Sequence, residues 1–212
     1  MPDKKNIIIL SSGRSGSHWV ESIVLDLCGG QNYAKRIDDI TLLPDMWLVH
    51  THNFSFFDGP TLTNFEKSCI LVYVRRKDYF ARAVSQVVAE HTMEWFNYSD
   101  KPVVPFSVDR DKWVTAYHAG PHLDQRFDAE LRPLYSHVVD IWYEDLCGAS
   151  NAEEFIAGKL GFTYAKNDGY HQSAAKPNTR NYKDIIINWS DLLKWTPTNQ
   201  DHNDFLHDRT SQ

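Results

Sequence analysis

Residues 6–17 read NIIILSSGRSGS, an aliphatic run followed by small and glycine residues. The unbroken run Ile7 to Leu10 predicts a strand covered on both faces, because a strand with one solvated face alternates apolar and polar side chains. Gly13 and Gly16 predict a tight loop after the strand. Apolar residues then recur at helical spacing and predict a helix; they are Trp19, Val20, Ile23, Val24 and Leu27. The chain is therefore predicted to begin as strand, glycine loop and helix.

The same kinds of pattern continue along the chain. Strands are predicted at 47–52, 69–74 and 137–142, and helices at 79–95, 113–117 and 188–193. A further helix is predicted from a capping box at 150–153 through Leu160. Strands that alternate with helices predict an α/β fold, a parallel sheet flanked by helices, which binds ligands at the carboxyl ends of its strands. Residues 1–212 are predicted to form a single domain, with an insertion at 97–136 over the sheet edge.

Composition and charge exclude several classes of function. The chain has 22 Lys+Arg and 28 Asp+Glu residues, a net charge of −6, which disfavours nucleic acid as a partner. No apolar run is long enough for a signal peptide or a membrane span, so no membrane insertion is expected. The three cysteines form no CxxC pair, which disfavours a disulfide framework and favours a reducing, cytoplasmic location.

The loop between the first strand and helix has the chemistry of an anion-binding site. Small residues allow backbone N–H groups to converge on an anion, and the start of the helix adds partial positive charge. Hydroxyls and the guanidinium of Arg14 complete the set. The GK[ST] ending of a Walker A loop is absent. The loop predicts an anionic ligand at the carboxyl edge of the sheet.

A second basic cluster follows the third predicted strand. Arg75, Arg76 and Lys77 are consecutive, and Ser85 lies on the helix that follows. Three adjacent cations repel one another unless water or an anion neutralises them. Taken alone, the cluster fits a solvated surface as well as it fits a second anion site.

In this order, the segments GRSGS and RRKD…AVS resemble the sulfotransferases that use 3'-phosphoadenosine 5'-phosphosulfate (PAPS). The interval from Arg75 to Ser85 is most similar to the bacterial glycolipid and trehalose branch. Two further segments resemble these enzymes. One is Trp142-Tyr143-Glu144-Asp145-Leu146, which is similar to a segment that follows a core strand. The other is Asn188-Trp189, which is similar to an Asn-Trp pair near their C-termini.

The resemblance implies a P-loop-containing nucleoside triphosphate hydrolase-like architecture, with the insertion on the acceptor side. It implies transfer of a sulfuryl group from PAPS to an acceptor hydroxyl, carried by a carbohydrate or another small molecule, with release of adenosine 3',5'-bisphosphate (PAP). Arg14 would assist the transfer. The residues that would bind the 5'-phosphosulfate are Gly13, Arg14, Ser15, Gly16, Ser17 and His18; Arg75 and Ser85 would bind the 3'-phosphate, and Lys176 and Arg180 would close over the nucleotide.

The acceptor's proton needs a base. His50 and His52 are two residues apart on a predicted strand, and side chains at this spacing face the same side. Cytosolic sulfotransferases have Lys-Thr-His where this chain has His50-Thr51-His52, which implies that His52 is the base. The glycolipid branch uses a carboxylate instead, and Asp38 and Asp39 are the candidates for that role.

No metal site is predicted. His50 and His52 form one histidine pair, and His118 and His122, at helical spacing, form another. Gly120 and Pro121 are expected to interrupt that helix, HExxH is absent, and the sequence places no third ligand. The transfer scheme requires no metal, because its cations come from the protein.

Two other functions stay open from the sequence: a nucleotide-dependent kinase built on the same loop, and a module that binds PAPS or PAP without chemistry. The sequence carries no signal for an oligomeric state.

Overall fold

A computed structural model describes residues 6–28, 33–34, 48–52, 54, 68–94, 103–164 and 181–196. The strands are β1 Ile7–Ser11, β2 Tyr33–Ala34, β3 Leu48–Thr51, β4 Ile70–Arg75 and β5 His137–Trp142. The helices are α1 Ser17–Leu27, α2 Tyr79–Thr92, α3 Arg110–Arg126, α4 Tyr143–Gly148, α5 Ala152–Leu160 and α6 Trp189–Trp195. A π-helical turn Phe127–Leu131 and 3-10 turns Arg132–Leu134 and Tyr182–Asp184 complete the described elements.

The five strands form one parallel sheet in the order β2-β3-β1-β4-β5. β1 lies at its centre, where Ile9 pairs with His50 on one side and with Val72 on the other. The predicted α/β fold is therefore confirmed, and the four predicted strands are all present. The two-residue strand β2 was not predicted, because so short a segment carries no periodic pattern.

The chain divides into two compact units, Met1–Lys77 with Arg126–Lys176 and Asp78–Gln125 with Pro177–Gln212. The single domain with an insertion at 97–136 stays a prediction.

The first unit contains the whole sheet. Every residue of β1 and of β4 is buried, as the unbroken apolar character of these segments predicts. α1 and α5 pack on the sheet through Val20, Ile23, Val24, Ile156 and Leu160.

The second unit has its own core around Trp113, which is completely buried. The ring of Phe80 meets Trp113 and Trp189 edge-on, at centroid distances of 5.0 and 5.4 Å. The described helices include none long and apolar enough to cross a membrane.

The expectation that Gly120 and Pro121 interrupt the third helix is wrong, because α3 continues through Pro121 to Arg126. Gly120 is needed for packing instead. A Cβ atom there would lie 2.8 Å from Cδ1 of Tyr79, so a larger residue would push α2 and α3 apart. Close helix packing therefore overrides the usual helix-breaking character of this pair.

Asn188 joins the start of α6 to a distant segment of the same unit. Its Oδ1 accepts a hydrogen bond from the Val108 N–H, and its Nδ2 donates one to the Val108 carbonyl, both at 2.9 Å. Val108 is buried, so these backbone groups have little access to water.

We predict that Asn188→Ala lowers the free energy of unfolding by about 2 kcal/mol, since it leaves a buried donor and acceptor unpaired. Chemical denaturation measures the change. Ser190→Ala, at an exposed position of the same helix, is the control and should change stability by less than about 0.5 kcal/mol. Equal stabilities of the two variants would contradict this role.

Candidate functional site

The loop between β1 and α1 has an unusual backbone. Gly13, Arg14 and Gly16 have positive φ angles of 68°, 53° and 82°. Such a conformation is rarely adopted by a residue with a side chain, so Arg14 is held there against a local cost. Gly16 is the N-cap of α1 and has no side chain to cap the helix, so the positive end of the helix dipole points at the loop.

Tyr143, the first residue of α4, lies against this loop. A Cβ atom on Gly16 would lie 2.5 Å from Cδ2 of Tyr143, closer than any real contact. Only glycine therefore satisfies both the φ angle and the close approach at this position. The GRSGS and WYEDL segments, which sequence resemblance grouped together, are neighbours in space.

Two buried polar atoms beside the loop lack a partner among the described residues. They are the hydroxyl of Ser15, which is completely buried, and Nε of Arg76. Arg76 donates from Nη1 to the carbonyl of Arg14 at 3.4 Å, and its guanidinium lies 4.7 Å from the ring centre of Tyr143. Each unsatisfied buried group costs about 1–3 kcal/mol, and an anion that accepts a hydrogen bond from such a group would remove this cost.

Carboxylates of the protein lie beside all three cations of the basic cluster, and Nε of Arg76 lies 3.9 Å from Oε1 of Glu144. Arg75 donates from Nε to Asp140 and from Nη1 to Asp128, both at 2.9 Å, and is only 6% exposed. Lys77 donates from its ammonium group to Asp145 and from its backbone N–H to Glu144. Arg76 is thus the member of the cluster that lies beside the loop, a residue that sequence reasoning had passed over in favour of Arg75.

Several other residues were predicted to bind the nucleotide or to act as the base. Ser85 is buried on α2, in the second unit. Lys176 and Arg180, together with the alternative bases Asp38 and Asp39, fall outside the described residues. The roles assigned to these residues stay predictions, as does the binding of a 3'-phosphate by Arg75.

Three histidines meet beside the loop. His50 and His52 lie at the end of β3 with ring centres 4.8 Å apart, so the prediction that they face the same side is confirmed. His18, in the first turn of α1, brings its ring centre to 4.6 Å from that of His50 and 5.9 Å from that of His52. The sequence did not indicate that His18 joins this group, because it belongs to another element.

Glu21 lies among these histidines, buried on α1. Its Oε2 accepts from Nδ1 of His18 and from Nδ1 of His50, each at 2.7 Å. Burial raises the pKa of Glu21, but these two hydrogen bonds lower it by more, and the pKa falls to about 2. Sequence reasoning missed Glu21, although a carboxylate within the apolar stripe of Val20, Ile23 and Val24 was a visible signal.

His52 is held in one neutral form. Its Nδ1 lies 2.8 Å from the Ser11 hydroxyl and donates to the Ser11 carbonyl at 3.2 Å. A carbonyl oxygen only accepts, so Nδ1 carries the proton and Nε2 keeps its lone pair. The pKa of His52 is lowered to about 4, first because the surrounding protein desolvates the ring and then because His50 lies beside it. As a whole residue, His52 is exposed.

The carboxylate network around Arg75 makes stability depend on pH. The pKa of Asp128 is lowered, mainly by its hydrogen bond from Arg75, while Arg132 adds a further hydrogen bond. A lowered pKa in the folded state contributes stability above the unfolded-state value near 3.8, and this contribution is lost as the pH falls through the lower folded-state value.

We predict that Asp128→Asn lowers the free energy of unfolding at pH 7 by about 1 kcal/mol, a value discounted because this side chain is partly solvated. The difference from the wild type should shrink as the pH falls below about 4, where the carboxylate becomes protonated first in the unfolded state and, at lower pH, in the folded state. Denaturation at a series of pH values measures it. Glu130→Gln, which removes an exposed pair with Arg126, is the control; a difference independent of pH would contradict the assignment.

Comparison with known proteins gives a match in structure alone. No family model matches the chain, and no curated protein matches it by sequence. Among solved structures, mouse sulfotransferase SULT7A1 complexed with PAP is similar, with a TM-score of 0.50 and 13% sequence identity. The match covers 95% of this chain and 82% of that chain. At this identity the likeness establishes the fold, and the chain has the α/β fold of a sulfotransferase.

Proposed function

We propose that this protein is a PAPS-dependent sulfotransferase that transfers a sulfuryl group to an acceptor hydroxyl and releases PAP. The observation that carries the proposal is the pair of unsatisfied buried groups, Ser15 Oγ and Arg76 Nε, beside a positive-φ loop at the start of α1. Hydroxyl and guanidinium donors at a helix start are suited to a phosphate or phosphosulfate group. The similarity to a solved sulfotransferase complexed with PAP supports the same class of ligand.

The residues of the loop fit such a group. The backbone of 13–17 and the hydroxyls of Ser15 and Ser17 would bind the 5'-phosphosulfate, with Arg14 and Arg76 as the cations. His18 lies in the first turn of α1, where its Nδ1 bonds Glu21, and it would contribute to the phosphosulfate site as the resemblance implies. PAPS supplies an activated sulfuryl group, and the protein contributes position and positive charge.

His52 is the proposed base. A base needs an unprotonated nitrogen that reaches the acceptor, and Nε2 of His52 keeps its lone pair because Nδ1 is bonded to Ser11. The Ser11 carbonyl fixes the orientation of the ring, so removal of the acceptor's proton requires no tautomer change. The acceptor is proposed to be a small molecule, with carbohydrates as the class to test first.

A module that binds PAP without transferring a group is the second candidate. It is favoured by His50, which is buried and bonded to Glu21 and stands where cytosolic sulfotransferases have a lysine. Incubation with radiolabelled PAPS and fractionated host extract separates the two: label transferred to an acceptor supports the enzyme, and PAP binding without transfer supports the module. A thermal-shift comparison of PAP with ATP and magnesium tests the kinase alternative.

We predict that Arg14→Ala lowers turnover at saturating PAPS by about 10²- to 10³-fold, because it removes a charge that stabilises the departing phosphate in the transition state. Arg110→Ala, at an exposed position of α3, is the control and should leave turnover unchanged. Turnover of Arg14→Ala close to the wild-type value would refute the role of Arg14.

Gly16→Ala is predicted to weaken PAP binding at least tenfold, since a Cβ atom would meet Tyr143 and force the loop out of its φ of 82°. Gly158→Ala is the matched control, because a Cβ atom at that glycine meets nothing within 4 Å. Calorimetric titration with PAP compares the two variants. Equal affinities would show that the loop conformation is not needed for the ligand.

A further inference from the structure

His18, His50 and His52 form a cluster whose ring nitrogens, one from each residue, lie within 4.8 Å of one another. The cluster combines two secondary-structure elements, since His18 lies on α1 while His50 and His52 lie at the end of β3. A histidine pair from one strand cannot enclose an ion, but a third imidazole from a neighbouring helix can.

The hydrogen bonds of the cluster use the same nitrogen of each ring. Nδ1 of His18 and Nδ1 of His50 each lie 2.7 Å from Oε2 of Glu21, and Nδ1 of His52 lies 3.2 Å from the Ser11 carbonyl oxygen. These oxygens accept hydrogen bonds, so a neutral ring oriented in this way carries its lone pair on Nε2. Histidines that bind metals have this arrangement, with the other N–H donated to a carboxylate or a backbone carbonyl.

A second, independent observation indicates a missing ligand. The side chain of His50 is only 4% exposed, and its Nε2 has no hydrogen-bond partner among the described residues. A buried lone pair without a partner is costly, and binding to a metal ion is one way to satisfy it.

We propose that His18, His50 and His52 bind one divalent transition-metal ion through their Nε2 atoms, with Glu21 and Ser11 orienting the ligands. Zinc suits this set best, because it accepts three imidazoles in a tetrahedral site and leaves the fourth position for water or another ligand. Tetrahedral nitrogens lie about 3.4 Å apart at bond lengths of about 2.0–2.1 Å, so the rings must move inward on binding. His18, with 43% of its side chain exposed, has room to do so.

This site does not rest on the transfer reaction, since it requires neither PAPS nor an acceptor. It does share one atom with that reaction. An ion bound to Nε2 of His52 occupies the lone pair that the proposed base uses for the acceptor's proton, so the two uses of His52 exclude each other.

The test uses untagged full-length protein treated with a chelator and then titrated with zinc against a colorimetric zinc indicator. The wild type should bind one zinc ion per chain. His18→Ala removes a ligand at a half-exposed position and should lower zinc affinity by at least about 100-fold, whereas Glu21→Gln keeps the ligands and should lower it about 10- to 100-fold. His122→Ala, an exposed histidine of α3, is the matched control and should bind zinc like the wild type.

Cobalt(II) provides a second readout, because a four-coordinate cobalt ion absorbs visible light strongly and a six-coordinate one does not. The wild type should show this absorption, and His18→Ala should lose it, while thermal unfolding without metal confirms that the variant is folded. Absence of stoichiometric zinc binding by the wild type, or equal zinc affinity of His18→Ala and the wild type, would overturn the proposal.

Discussion

The parallel pairing of β1 with β3 on one side and β4 on the other is the constraint on which the site depends. Leu10 pairs with Thr51 and Ser11 with Val74, so the three strands end at nearly the same level. The loop after β1, the histidines of β3 and the basic cluster after β4 are therefore brought to one edge of the sheet. Because β1 is buried along its whole length, its register cannot slip without exposing aliphatic side chains to water.

Some charged side chains at this edge stabilise the fold, and others belong to the proposed ligand site. The buried guanidinium of Arg75 is compensated by Asp128 and Asp140, which are themselves bonded by Arg132. A buried charge is stable only with such partners, so this network is a structural part of the β4–β5 edge. Arg76 differs in degree, since its Nε lies 3.9 Å from Oε1 of Glu144 without a hydrogen bond among the described residues, and its Nη1 reaches the loop. Of these two adjacent arginines, Arg76 is therefore the one that the proposed anion site at the start of α1 includes.

The same edge of the sheet also contains the cluster of His18, His50 and His52. Glu21 stays ionised at every ordinary pH, with a pKa of about 2, and so it fixes the Nδ1 protons of His18 and His50. His52 is fixed separately by Ser11, a residue of β1. Three imidazoles held in this way are the basis of both proposals, proton transfer by His52 and metal binding by all three rings. Both proposals use Nε2 of His52, so they exclude each other.

The sequence by itself determined the α/β class and the strand–loop–helix order, because hydrophobic periodicity and glycine placement are local properties of the chain. It also indicated that His50 and His52 share a face, since the period of a strand is two residues. Tertiary structure alone decided which arginine lies beside the loop, that Glu21 and His18 join the histidine pair, and that α3 passes through Pro121. These features depend on contacts between residues far apart in the sequence, such as Arg75 with Asp128 and His50 with Glu21. Burial and partner geometry, which no local pattern encodes, set the role of each of these side chains.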